Sequence, residues 1–259
     1  MSRILQMLLL IFSSLLLMGS RNIGSAKKLE GKVYTLIIFI SDTTDQWTTQ
    51  QKNQMIQQVI DAEDWRSKQA QVYGKTLAFE HGSYGLETDI ELSNLPEGLA
   101  SGKEDVSILI RTMQKIGFKN NEDLNAHIQA DHIQVLLFLK KNGNSYSMPF
   151  EEGLDSIYEL EAVVLYEKFE EHLPLCTACI AHETLHIFGA WDLYKTFQTT
   201  AKQEEIARKR YPNSIMLRTT YNIFDLEIDP RTAWRIGWRE TKPTNGEFFR
   251  PYSPPPEKR

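Results

Sequence analysis

The 259-residue sequence lacks several things that would place it quickly. It has no internal repeat and no composition bias of the collagen or disordered kind; 41% of its residues are hydrophobic and 24% charged, as in ordinary globular proteins. It has no basic block, and Lys and Arg total 29 against 34 Asp and Glu. That balance argues against nucleic acid as a partner. Its N-terminal apolar run, Ile4 to Met18, is short of the ~20 residues that a membrane-spanning helix needs. No cysteine lies near that run, which argues against a lipid-modified N-terminal cysteine.

What the N-terminus does have is a basic residue, Arg3, then the apolar run, then small residues ending in Gly24-Ser25-Ala26. This is the layout of a secretory signal peptide over residues 1–26. The expected location is outside the cytoplasm, secreted or periplasmic, with an uncleaved membrane anchor as the alternative. Cleavage after Ala26 removes two arginines and no acid, leaving 27 Lys and Arg against 34 Asp and Glu. No membrane contact is expected beyond this segment. About seven residues separate the cleavage site from the first strand, so no propeptide and no cysteine-switch zymogen are expected.

Residues 27–248 read as one domain of the α+β class. Val33–Ile40 is a β-branched and aromatic run, the pattern of a buried central strand. Ser41–Asp45 is rich in N-cap residues, and a long helical pattern follows from Gln46 to Tyr73, with Trp47 and Trp65 covering the sheet and Gly74 as the stop. Strand-like pieces lie at Thr76–Phe79 and Leu86–Leu92. In the second, Leu86, Thr88, Ile90 and Leu92 alternate onto one face. Pro96, Gly98 and Gly102 mark a loop, Glu104–Ile116 a helix, Ile133–Leu139 a strand ended by the turn residues of 140–144, and Tyr158–Tyr166 another strand. The alternation predicts a mixed sheet covered by helices up to about residue 170, with a less regular remainder. Residues 249–259 hold four prolines and read as an extended or disordered tail.

Residues 181–192 are Ala-His-Glu-Thr-Leu-His-Ile-Phe-Gly-Ala-Trp-Asp. On a helix, His182 and His186 lie one turn apart on the same face, where two imidazoles can bind one metal ion. Glu183 sits where its carboxylate reaches a metal-held water. Gly189 can end the helix in a left-handed conformation and turn the chain back, so that a returning strand brings Asp192 to the metal as third ligand. Zinc needs such a third protein ligand and an open position. His-Glu-x-x-His alone arises by chance in roughly one chain of this size per hundred; adding Gly189 and Asp192 lowers that to about one in several tens of thousands.

The pattern His182-Glu183-x-x-His186-x-x-Gly189-x-x-Asp192 resembles the zinc signature of the metzincin clan of metalloproteases, in the snapalysin-like variant with aspartate as third ligand. Ser214-Ile215-Met216 resembles the clan's Met-turn beneath the metal. The resemblance implies a sheet-and-helix N-terminal lobe (about 27–189), an active-site helix on the cleft floor, and a small irregular C-terminal lobe (about 190–248). It also implies one Zn2+ per chain on His182, His186 and Asp192, Glu183 as general base, and a peptide or protein substrate. Several families of the clan carry Tyr two residues after the Met. Here that position is Arg218, and Tyr221 is the nearby tyrosine.

Cys176 and Cys179 form Cys-x-x-Cys ahead of the motif, in the first turns of the same helix with Pro174 near its start. Three readings stand: small packing residues, a local disulfide suited to an exported protein, or metal ligation by Cys179, which points near the His182 face. The disulfide is the favoured one. His81, His127, His132 and His172 lack ligand spacing and read as surface or satisfied positions. Trp234, Ile236 and Trp238 read as core. The function expected is zinc-dependent endopeptidase. The rivals are a non-catalytic zinc-stabilised binding protein, which would have no need of Glu183, and a thiol redox protein using the Cys-x-x-Cys pair.

Overall fold

A computed structural model describes residues 28–95, 102–148, 161–169, 173–196, 199–220 and 222–243. The segment 1–26 expected to be a signal peptide, Tyr158, His172, Tyr221 and the tail 249–259 lie outside the described residues. The class is α+β: among the described residues there are a seven-stranded mixed sheet and six α-helices.

The sheet is built on β1 (Gly31–Ser41). Its eleven residues are mostly Val, Ile, Leu, Phe and Tyr, and the run Thr35–Ser41 is buried throughout because both faces are covered. Val33, Ile37 and Phe39 point to one face and Leu36, Ile38 and Ile40 to the other, each set joining a separate core. The strand order is β2 (Leu77–Tyr84), β1, β4 (His132–Asn142), β6 (Glu161–Phe169), β5 (Tyr146–Met148). The first four of these run parallel; β5 and the short β7 (Leu173–Pro174) run antiparallel to β6 on the sheet's outer edge. The strand expected at Tyr158–Tyr166 therefore sits further on in its described part, running to Phe169.

The segment Leu86–Leu92 differs from expectation. Only Ile90–Glu91 is strand (β3), pairing with the end of β1, and Leu86 is exposed. Gly85 (φ +81) turns the chain out of β2, and a Cβ there would meet the Phe39 carbonyl oxygen at 2.5 Å. The turned-out loop is pinned by a buried ion pair, Lys52 Nζ to Asp89 Oδ1 at 2.6 Å, while Asp89 also accepts from the Trp47 N–H.

Helix α1 (Thr49–Val72) starts later than its N-cap-rich prelude suggests. Asp42 instead closes a tight turn, accepting from Thr44 and Asp45, and Thr48 with Gln51 forms the capping box. Gly74 ends the helix at φ +67. Met55, Val59, Ala62 and Trp65 bury its inner face against the sheet, beside α4 (Thr177–His186). The opposite sheet face is covered by α2 (Gly102–Lys115) and α3 (Asn121–His127). The sequence reading did not anticipate α3; its cap is Asn120, whose side chain accepts from the Asp123 N–H.

After the motif the chain is more regular than expected: α5 (Ala201–Arg210) carries a Thr200/Gln203 capping box, and α6 (Pro230–Arg235) is capped by Asp229. Ile215, Met216, Ile228 and Ile236 join the same core as Val33, Phe39 and Leu136. Leu29 N–H donates to the Ile236 carbonyl, and the Trp238 indole donates back to the Leu29 carbonyl.

Candidate metal centre

Helix α4 begins at an N-cap cysteine. Cys176 Sγ accepts from the Cys179 N–H at 3.1 Å, and the two sulfurs are joined as a disulfide. Pro174 lies in β7, just ahead of this cap. The helix is buried along Ala178, Ala181, Thr184 and Leu185, which fixes its rotation on the core and turns His182 and His186 the same way. Gly189 follows at φ +93, a conformation that costs a residue with a side chain ~1–2 kcal/mol. The chain then doubles back as a loop, rather than the expected strand, and delivers Asp192.

His182 Nε2, His186 Nε2 and Asp192 Oδ1 stand at the corners of a triangle with every edge 3.2 Å. The remaining ring nitrogens are both engaged by backbone: His182 Nδ1 with the Ile215 carbonyl and His186 Nδ1 with the Ala190 carbonyl, each at 2.9 Å. A carbonyl only accepts, so each Nδ1 carries a proton, and in the neutral ring each Nε2 presents a lone pair. Asp192 Oδ1 is enclosed and has no hydrogen-bond donor. Three lone pairs facing one another repel unless positive charge sits among them. A tetrahedral ion ligated at ~2.0–2.1 Å sets its ligands ~3.3 Å apart, so the triangle has the size of one face of such a site. The donor set can hold a metal ion.

A proton can supply that positive charge, and a metal ion would compete with it for the same lone pair. Burial opposes charge on His186, but the Asp192 carboxylate and Glu183 outweigh it and push the imidazolium up to about 9. Burial likewise opposes charge on Asp192, and the two imidazoles overcome it, holding the carboxyl well below its usual range.

Glu183 lies on the same helix and lines a cavity of about 720 Å³ together with His182. Ser147, on the edge strand β5, has its hydroxyl 2.6 Å from the Glu183 carbonyl oxygen and 2.9 Å from Glu183 Oε2. Tyr194 stacks on His182, with ring centroids 6.3 Å apart and planes 14° apart. Burial first, then the Asp192 and Glu183 carboxylates, push the Tyr194 phenol up, so it stays a donor. The cavity lining also includes Tyr166, Phe169, Leu173 and the two cysteines, with Arg218 among its polar residues.

Met216 is fully buried, and its carbonyl accepts from the Leu193 N–H at 2.7 Å, next to Asp192. Its turn is held from behind: Ser214 Oγ donates to Asp229 Oδ2 at 2.7 Å. The structure therefore brings together His182, Glu183, His186, Asp192 and the Met216 turn, and lines the cavity with both cysteines. Of the other histidines, His81 pairs with Glu63, His132 packs edge-on against Phe188, and His127 is exposed.

Sequence reasoning missed Ser147 and Tyr194. Tyr194 had a signal, since it follows Asp192 by two residues in a loop expected to return to His182 and His186. Ser147 had none; it comes from an edge strand 36 residues before Glu183. No protein-family model matches the chain, and no curated protein matches it.

Proposed function

We propose that this chain is a secreted zinc-dependent endopeptidase of metzincin-like design. One observation carries the reading: three metal-seeking lone pairs meet at 3.2 Å with the Glu183 carboxylate on the same helix beside them. His182, His186 and Asp192 would hold the ion, leaving a fourth position open, as a catalytic zinc site requires. When bound, zinc supplies Lewis acidity and lowers the pKa of water from ~15.7 towards ~7.

The protein's own groups do the rest. Glu183 takes the proton of the attacking water and returns it to the leaving amine. Ser147 orients Glu183 by a hydrogen bond to Oε2, and the phenol of Tyr194, kept protonated, is a donor for the developing oxyanion. In this reading Tyr194 is the oxyanion donor; Tyr221, the tyrosine that follows the Met216 turn in the sequence, lies outside the described residues. The cavity beside Glu183 accommodates a peptide side chain against its apolar lining residues. The Met216 turn contributes packing and the Ile215 carbonyl that fixes the His182 tautomer.

The test is metal content with a chelator-sensitive peptidase assay on a diverse peptide library. The proposal expects one zinc per chain and cleavage that stops on chelation and returns with zinc. Bound zinc with no cleavage of any peptide would favour a zinc-stabilised binding protein instead.

A further inference from the structure

Arg235, the last residue of α6, is a buried cation against which the described residues place no carboxylate. It is 4% exposed, and its guanidinium carbon lies 3.2 Å from the centre of the Trp191 ring and 6.0 Å from that of Trp234. Its Nε is enclosed without an acceptor, and so is the Trp191 indole N–H. More positive charge surrounds the same two indoles. Arg231, one turn earlier, sits 5.8 Å from the Trp191 ring, and Lys242 Nζ sits 5.2 Å from the Trp234 ring. Asp229 does not serve Arg235. Its oxygens are taken by the N–H groups of Arg231 and Thr232 and by the hydroxyls of Thr232 and Ser214.

Stacking on an indole offsets only part of the cost of burying an unpaired guanidinium. Burial, and then Arg231, pull Arg235 well below the usual guanidinium range; burial, then Arg235 and Arg231, also lower Lys242. Buried N–H donors are ordinarily satisfied, so two of them beside a cation that the described residues leave without a carboxylate point to an acceptor that carries negative charge.

We propose that Trp191, Arg235 and Lys242 form a binding site for a small oxyanion. Arg235 Nε and Trp191 Nε1 are unsatisfied N–H donors on two groups stacked at 3.2 Å, and a tetrahedral or carboxylate oxyanion at the edge of the stack would supply acceptors to both. The guanidinium fork matches such an anion in shape as well as charge. Lys242, exposed at the surface, gives the anion its way in. Trp191 directly precedes Asp192, so the anion would brace the loop that carries this residue. The proposal does not rest on metal binding or on catalysis.

Sulfate is the probe, added to the full chain at constant ionic strength against chloride. A saturable rise in the unfolding midpoint is expected, about 3 °C at tenfold over half-saturation. A saturable change in tryptophan fluorescence should accompany it, with the same half-saturation. Arg235→Gln should fold and lose both responses. Lys242→Gln, an exposed change, should raise the half-saturating concentration several-fold. His186→Ala should keep the sulfate response, which separates this site from the metal centre. A wild type that responds to sulfate no more than to chloride overturns the proposal. So does an undiminished response in Arg235→Gln, or, should that variant not fold, in Lys242→Gln.

Discussion

His182 Nδ1 donates to the carbonyl of Ile215, 33 residues further along the chain, which ties α4 to the turn containing Met216. That turn is braced in its own right by Ser214, whose buried hydroxyl donates to Asp229 and whose Oγ also accepts from the Met216 N–H at 3.2 Å. Ser214→Ala removes both bonds and leaves Asp229 short of a donor. The expected loss is about 1.5–3 kcal/mol of stability in urea unfolding. Because the Ile215 carbonyl loses its support, zinc affinity measured by chelator competition should fall as well, by up to ~10–100-fold. Unchanged affinity would mean that the turn does not hold His182.

Asp192 is the one proposed ligand contributed from outside α4. Asp192→Ala should abolish stoichiometric zinc binding while the circular dichroism spectrum stays that of the folded protein, since the loop carrying Asp192 lies outside the helices and strands. Full zinc occupancy by atomic absorption would show that Asp192 is not a ligand.

Two residues act on the proposed chemistry without supplying a ligand. Ser147→Ala frees the Glu183 carboxylate, and Tyr194→Phe removes a donor beside Asp192 and Glu183. Both should retain zinc. Loss of an oxyanion donor costs ~10²–10³-fold in kcat, so Tyr194→Phe should fall in that range, with Ser147→Ala lower by about tenfold only. A Tyr194→Phe enzyme with wild-type kcat would remove Tyr194 from the mechanism.

A pH effect is expected away from the site. Glu63, buried under the sheet, bonds His81 and raises its pKa above the ordinary 6.5, against the opposing effect of burial. A raised folded-state pKa gives stability that is fully present below 6.5 and is lost as pH climbs through the folded value. Wild type should therefore lose stability relative to His81→Gln as pH rises from 6.5 upward. His132, which burial shifts the other way, is common to both proteins and cancels in the comparison. A stability difference that does not change with pH would contradict this assignment.

The sequence was most legible where one local rule decides the outcome. The β-branched run at Val33–Ile40 could only be a covered strand, and four-residue spacing put His182 and His186 on one helical face. Gly189 after His186 forecast the reversal, because a positive φ is needed there. Legibility failed where tertiary partners decide. Leu86–Leu92 alternates like a strand, yet the buried Lys52–Asp89 pair and the close approach at Gly85 hold most of it as loop. Ser147 reaches Glu183 only because β5 docks antiparallel on β6, a pairing that no local pattern encodes. The fate of Tyr194 depended on how a loop folds back.

The most direct test is Glu183→Gln. The amide keeps the shape of the side chain and leaves His182, His186 and Asp192 untouched, but it cannot accept a proton from water at neutral pH. A group that serves both proton transfers should be worth the upper part of the ~10²–10⁴-fold range for general acid–base catalysis, and the loss should lie in kcat. The measurement is kcat for a peptide substrate, taken on wild type and variant with zinc content determined on the same samples. The account predicts one zinc per chain in both proteins and a kcat lower by ~10³–10⁴-fold in the variant. A zinc-loaded Glu183→Gln protein as active as wild type would contradict it.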